Sequence, residues 1–444
     1  MKAAGNPTGP ADWPGDLLGP VSQLPPFSRL WVALSGGLDS SLLLNVVAAC
    51  HPSVTALHIN HQLQPNHPQT EQFCRELCCS LGVQLRVVRV TVPVKDAGAG
   101  GLEEAAREAR YSVFRDLLAP GDLLLMGHHG DDQAETVLFR MLRGSGVAGL
   151  AGIPASRPLG RGALFRPWLD ISRDRLQQVA EQAGLRWVED PSNTREIYDR
   201  NYLRHRVLAE LKQRWPGLLK RIAHTARACA ESEQLNQALA QLHWHQCADS
   251  DRLAVARLRE LAPVERRNLV RWWIRRRGFP VPPAANRDQV LSELLEARED
   301  GAPELSGQGF AIRRYRGHLY LVPDNPSCPV AELLVPDQPL RWANWTLRLT
   351  ADGDGGQSLP RIRVSTRQGG ERVRPVPGGP SRTLKTWLQE ESVPPWERPV
   401  LPLVWGQSDT GDELIAIGDL WCCERYSEKA GTTGWRLIIE RDCD

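Results

Sequence analysis

Leu30-Trp31-Val32-Ala33-Leu34-Ser35-Gly36-Gly37-Leu38-Asp39-Ser40 decides the fold of this 444-residue chain. The apolar run Leu30 to Leu34 reads as a buried parallel strand, and Leu42 to Ala49 reads as a helix. A Gly-containing turn joins them, so the chain passes from strand to turn to helix N-terminus. Such a turn aims free backbone N–H groups and the positive helix end at one point, where a phosphate binds. Gly36 and Gly37 permit close backbone approach, and Ser35, Ser40 and Ser41 add hydroxyl donors. Asp39 repels a phosphate directly, so it belongs there only with a Mg²⁺ ion in between. The Walker pattern needs Gly-Lys, which occurs nowhere in the chain, and no strand is followed by Gly-x-Gly-x-x-Gly.

Outward from this stretch, strand and helix alternate over the first 190 or so residues. Strands are expected at Val54–Asn60, Val83–Val92, Asp122–Gly127, Leu164–Leu169 and Leu185–Val188. Helices are expected at Thr70–Leu81, Leu102–Ala119, Asp132–Leu142 and Arg173–Ala183. Repeated βα units predict an α/β fold, a doubly wound parallel sheet with its site at the strand C-terminal ends. Helical patterning then takes over, with long amphipathic stretches at Leu218–Leu242 and Pro263–Arg277 and a β segment over Phe310–Val322. The expected organisation is a flexible lead-in over 1–27, a catalytic domain over 28–215 and a helical domain over 216–322. A Pro-rich linker over 323–345 and a small α+β domain over 346–444 complete it.

Composition narrows the class. No window approaches ~20 consecutive apolar residues, and the first 27 lack a signal peptide's apolar core, so a cytoplasmic protein without a membrane span is expected. The ten Cys include no Cys-x-x-Cys, which leaves no visible zinc ribbon or iron–sulfur ligand set. Only six of the 54 basic residues are Lys; Arg suits phosphate contacts and base stacking, although GC-rich coding gives the same bias.

Further groups fall at strand C-terminal ends. His58-Ile59-Asn60-His61 offers rings and an amide to adenine or a phosphate, or is a polar turn. Arg107 and Arg110 share a helix face, as any solvated Glu/Arg helix also arranges them. His128-His129-Gly130-Asp131-Asp132-Gln133-Ala134-Glu135 follows the fourth strand. Asp132 and Glu135 fit a capping box, yet two His and three carboxylates exceed what capping needs. Such an oxygen-rich group suits Mg²⁺ with ATP better than zinc.

Together these pieces resemble the tRNA(Ile)-lysidine synthetase family of the PP-loop ATP pyrophosphatases. The matching pieces are the Ser35–Ser40 loop, His58–His61, the helix Ala105–Tyr111, His128–Thr136, Arg143-Gly144-Ser145-Gly146, and Asp190-x-Ser192-Asn193 through Arg200-Asn201. The resemblance is strong over about 190 residues and weaker beyond, returning at Gly369–Trp396. It implies an adenine-nucleotide-hydrolase-like sheet and an enzyme that uses ATP and Mg²⁺. That enzyme joins free lysine to C2 of the wobble cytidine in the CAU anticodon of tRNA(Ile). Adenylating the C2 oxygen makes AMP a good leaving group. The resemblance then implies an ATP site of Ser35, Gly36, Gly37, Leu38, Asp39 and Ser40 with His58, Asn60 and His61. Asp39 would hold the Mg²⁺. Arg110 and His128 would meet phosphates or the transition state, and Asp132 and Glu135 would receive the lysine ammonium.

The tRNA requires basic surface. Arg200, Asn201 and Arg204 are candidates, as are Arg271 and Arg275 on a helix with Trp272 and Trp273. Arg372, Arg374 and Lys385 belong to a stretch of seven basic residues and one acid between Arg361 and Lys385. Competing readings are a tRNA thiolase, which needs paired Cys near the site, a small-molecule ligase, which needs no basic C-terminal domain, and an RNA-binding protein with a relic ATP site.

Overall fold

The structure is a computed structural model that describes residues 9–63, 65–92, 99–189, 199–282, 284–296, 304–324, 329–351, 361–376, 378–408, 411–427 and 435–441. The chain divides into two compact units, Met1–Asn236 and Gln237–Asp444. That boundary falls inside a long helix, beyond the one expected at 215/216.

The first unit is built on a six-stranded sheet in the order β3-β2-β1-β4-β6-β5. β1 (Leu30–Ala33), β2 (Thr55–Asn60), β3 (Gln84–Arg89), β4 (Leu123–Leu125) and β6 (Gly162–Phe165) run parallel. The chain winds outward from β1 to β3, then returns to place β4 on the other side of β1. Successive connections therefore leave β1 and β4 in opposite directions, which opens a crevice at their C-terminal ends. β5 (Ser156–Leu159) is an antiparallel edge strand that pairs with β6. α2 (Leu38–Cys50) follows β1, and Leu42, Leu43, Leu44, Val46 and Val47 are all fully buried. A helix apolar all round needs cover on every side. α1 (Gly15–Ser22) and α7 (Arg173–Gln182) supply part of it, sharing one core with α2.

Three sequence expectations need correction. Much of the lead-in is structured: Trp13, Leu17 and Val21 recur every fourth residue and are buried in the main core. Each such side chain contributes about 1.5–3 kcal/mol, enough to fasten a two-turn helix. Trp168 Nε1 also donates to Leu17 O at 3.1 Å. Leu185–Val188 is not a strand; Val188 N donates to Gly36 O at 2.9 Å, so the segment is spent on the turn after β1. The expected linker contributes β12 (Glu332–Leu334) and β13 (Leu340–Trp342) to the last core, where Trp342 is fully buried. Apolar alternation there outweighs the Pro content.

The second unit holds two cores. One packs α12 (Pro263–Arg276) and α13 (Ala284–Glu296) on a five-stranded sheet of β7 (Ala248–Asp249), β8 (Arg252–Ala254), β9 (Glu304–Ser306), β10 (Phe310–Tyr315) and β11 (His318–Pro323) in the order β7-β8-β11-β10-β9, so the helical region carries more β structure than expected. The other core is the mixed C-terminal domain, whose one described α-helix is α14 (Leu384–Glu390). Among the described residues no helix is long and apolar enough to cross a membrane.

Candidate active site

The turn after β1 is held by its own hydroxyls. Ser35 N donates to Ser40 Oγ at 3.1 Å, the two hydroxyls lie 2.9 Å apart, and Ser40 Oγ donates to Gly37 O at 3.2 Å. Gly36 has φ +86°, and a Cβ there would meet Thr70 Cγ2 at 2.9 Å. Gly127, at the end of β4, would bring a Cβ to 2.9 Å from Asp39 O. The end of β4 and the first turn of α2 therefore approach each other backbone to backbone. Asp39 sits in the first turn of α2 with Oδ1 buried and unpartnered. Burial raises its carboxyl above the ordinary range, against the pull of His129, Arg173 and Arg204. Ser41 Oγ and His61 Nδ1 are also buried without partners, so three orphaned polar atoms belong to the turn after β1 and the segment after β2.

The residues after β2 divide. His58 Nδ1 lies 2.9 Å from Leu34 O, and Asn60 Nδ2 donates to Glu71 Oε2 at 2.9 Å. Glu71 in turn holds Arg75 and Arg89, and these guanidiniums pull its carboxyl down to about 2. His58 and Asn60 are thus both buried and brace β2. His61 lies beyond the strand. Arg110 Nε donates to its Nε2 at 3.4 Å, so Arg110 and His61 do come together. Burial pushes the His61 imidazole down to about 4.

α5 (Gly130–Leu142) starts at the end of β4 with His129 as its N-cap. His129 Nδ1 accepts from Asp132 N at 3.4 Å, and His129 N donates to Asp132 Oδ2 at 3.0 Å. A capping box is therefore present, but it joins His129 to Asp132 and not the expected Asp132 to Glu135. Its N-cap nevertheless has a second face: Nε2 lies 3.4 Å from Asp132 Oδ2 and 3.7 Å from Asp39 Oδ2. One imidazole thus links the carboxylate of the phosphate turn to the α5 pair. Asp131 leaves this group, accepting from Arg173 N at 2.8 Å and pairing with Lys212.

Asp132 and Glu135 share a face of α5, and their environments push them apart. Burial alone would raise Asp132, but His129, His128 and Arg204 hold it below the ordinary range. Burial wins at Glu135 and raises it, despite Arg204 and Arg200. Arg204 Nη2 lies 3.0 Å from Asp132 Oδ1 and 2.8 Å from Glu135 Oε2, while Arg200 Nε lies 2.9 Å from Glu135 Oε1. Arg200 and Arg204 thus both pair with carboxylates of α5.

Arg166 went unnoticed in the sequence because no motif surrounds it. It is 4 % exposed and donates to His128 Nδ1 at 3.2 Å, Pro154 O at 2.7 Å and Tyr111 OH at 3.4 Å. Burial pushes His128 down to about 4, so the ring is a neutral acceptor for that guanidinium. Arg107 and Arg157 each lie 4.9 Å from the Tyr111 ring centroid. Its place just past β6 is the one signal that sequence reasoning had available.

Comparison with known proteins matches residues 17–211 to a PP-loop domain, 253–320 to a TilS substrate binding domain and 362–439 to a TilS substrate C-terminal domain. The chain is 38 % identical to the tRNA(Ile)-lysidine synthase of Alkalilimnicola ehrlichii, over 96 % of this chain and 97 % of that protein. Against the tRNA(Ile)-lysidine synthase of Coxiella burnetii identity is 35 %, over 96 % of each. The chain belongs to the tRNA(Ile)-lysidine synthase family. The enzyme of Vibrio cholerae is 36 % identical over 90 % of this chain and 93 % of its own.

For a family with named substrate-binding domains, the basic candidates of the second unit need sorting. Trp273 is buried in a core, and Trp272 packs 5.7 Å from Trp244 with Arg276 5.2 Å from its ring, so Trp273 is unavailable for base stacking. Arg271 donates to Asn268 at 2.9 Å, and Arg275 is exposed on α12. Arg363, Arg367 and Arg382 are spent on Asp412, Glu371 and Glu390. Arg372, Arg374 and Lys385 are exposed, and among the described residues no carboxylate pairs with them. Asp190, Ser192 and Asn193 lie outside the described residues, and Asn201 ends the matched motif in α8 (Asp199–Tyr202).

Proposed function

We propose that this protein joins lysine to C2 of the wobble cytidine of a tRNA(Ile) with a CAU anticodon, using ATP with Mg²⁺, in the cytoplasm. The observation that carries the reading is His129. It bridges Asp39 of the phosphate turn and Asp132 of the α5 pair, so a nucleotide and a cationic amine are served from one crevice.

The donor set fits a metal ion. Asp39 Oδ1 is a buried carboxylate oxygen with no partner. Among the described residues no three side chains form a metal cluster, which suits an ion completed by phosphate and water oxygens. Asp39 would hold the Mg²⁺, which supplies charge neutralisation at the phosphates.

The chain's own groups account for the rest. The turn N–H groups and the N-terminus of α2 receive the pyrophosphate that leaves as the cytidine O2 attacks the α-phosphorus. The ε-ammonium of lysine must lose a proton before its nitrogen attacks C2 and expels AMP. Asp132, held ionised, binds the charge; Glu135, with the higher affinity for protons, accepts the proton. Neutral His128 and Arg166 present a fixed donor array beside them.

Asp39→Asn tests the reading. The variant should lose tRNA-dependent ATP–pyrophosphate exchange by at least ~10³-fold while tRNA affinity stays within about twofold. Exchange at the wild-type rate would refute the assignment.

A further inference from the structure

Arg204 already stands where the incoming amine must bind. Its Nη2 and Nε reach Glu135 Oε2 at 2.8 Å and 3.0 Å, and Nη2 reaches Asp132 Oδ1 at 3.0 Å. The other Glu135 oxygen is held by Arg200 at 2.9 Å. Two carboxylates on one buried helix face repel each other and need cations to stay ionised. Here the protein provides those cations itself. A substrate ammonium arriving beside Arg204 would place two like charges in contact. It binds favourably only if the guanidinium leaves.

The backbone offers a way out. Arg204 rides on a π-helical turn, Leu203–Val207, between α8 and α9 (Leu208–Arg214). Such turns hold one residue more than an α turn and concentrate at functional sites. Slipping by one residue into α register turns a side chain by about 100° around the helix axis. That rotation is large enough to lift the guanidinium from both carboxylates.

We propose that Arg204 is a specificity-determining resident cation, exchanged for the substrate's primary ammonium when the amine binds. The inference rests on the reading of Asp132 and Glu135 as the amine subsite. Exchange keeps the charge of the subsite constant. It also sets a threshold, because a weakly held amine cannot displace the guanidinium.

The test uses full-length Arg204→Ala, with Arg204→Gln as the variant that keeps chain length if the first fails to fold. Steady-state rates are measured against lysine, ornithine and ATP, with and without millimolar guanidinium chloride. The KM for lysine should fall at least fivefold, the KM for ATP should stay within twofold, and ornithine should gain on lysine as a substrate. Guanidinium should compete with lysine in the variant and not in the wild type. A raised lysine KM, with guanidinium restoring activity, would mean that Arg204 works alongside the amine and would overturn the proposal. An unchanged lysine KM in a folded variant overturns it equally. Asp132→Asn and Glu135→Gln separate the two readings. If they leave the lysine KM alone, the subsite reading itself fails. If they raise it while Arg204→Ala does not lower it, only the exchange fails.

Discussion

At the scale of single residues, the site is a set of groups held away from their ordinary protonation. His61 is depressed from 6.5 to about 4 by burial, with Arg110 and His58 adding to the effect. Below pH 6.5 the unfolded chain binds this proton and the folded chain does not. Stability is therefore lost as pH falls from about 6.5 to 4, and the loss stops below that window. His128 adds a loss of the same sign over the same window. Glu71, lowered from 4.5 to about 2 by its Arg89, Arg75 and Asn60 hydrogen bonds, loses its contribution only below pH 4.5. Urea unfolding of His61→Gln at pH 7 and pH 4.5 should show a smaller difference than the wild type; an equal difference would contradict the burial argument. Asp39 gives the opposite expectation. Its carboxylate is destabilised where it stands, so Asp39→Asn should melt no lower than the wild type while losing activity.

At the scale of elements, the decisive contact is between the end of β4 and the first turn of α2. Gly127 lets them touch, and a Cβ there would press on the Asp39 backbone carbonyl, which cannot rotate aside. Gly127→Ala should cost about 1–3 kcal/mol and raise the KM for ATP more than that for lysine. An unchanged melting temperature and ATP KM would show that β4 and α2 can part freely there. Much at this scale was legible in advance. The strands β1 and β4 are continuous apolar runs, and α3 (His67–Leu81) ends at Gly82 with φ +63° as a helix C-terminus prefers. The miss at Leu185–Val188 has a physical cause: an extended apolar segment can hydrogen-bond to a loop as well as to a sheet. Polar residues at a strand end serve bracing or binding, and the position of Glu71, which no local pattern reveals, ties the Asn60 amide to bracing.

At the scale of the whole chain, the second unit is expected to carry a share of the tRNA contact. The last domain offers fewer basic groups than its composition suggested, since Arg363, Arg367 and Arg382 are neutralised locally. Arg361, Arg372, Arg374 and Lys385 remain exposed. If each meets a phosphate, they contribute about 3 to the slope of log affinity against log salt. Truncation should be made near residue 324, before the strands that hold Trp342, and not at 346. It will uncover the Tyr315, Tyr320 and Trp396 cluster, so the truncated form needs a folding check first. A folded truncation whose salt slope equals that of the full chain would assign the contact elsewhere. Arg374→Glu in the full chain should then be silent as well.

The amino-acid sequence by itself determined the strand–turn–helix, the winding of the sheet and the family, because these rest on local periodicity and on short motifs with one physical use. It also named Asp39, His128, Asp132 and Glu135, since loops at parallel strand ends converge wherever the sheet is doubly wound. Only the tertiary structure decided which of those groups are spent and which are open. Asp131 goes to Lys212, Asn60 goes to Glu71, and Arg204 goes to Asp132 and Glu135. Ion pairs and buried hydrogen bonds between residues 11 to 81 positions apart leave no periodic trace in the chain, because either partner alone is an ordinary polar residue.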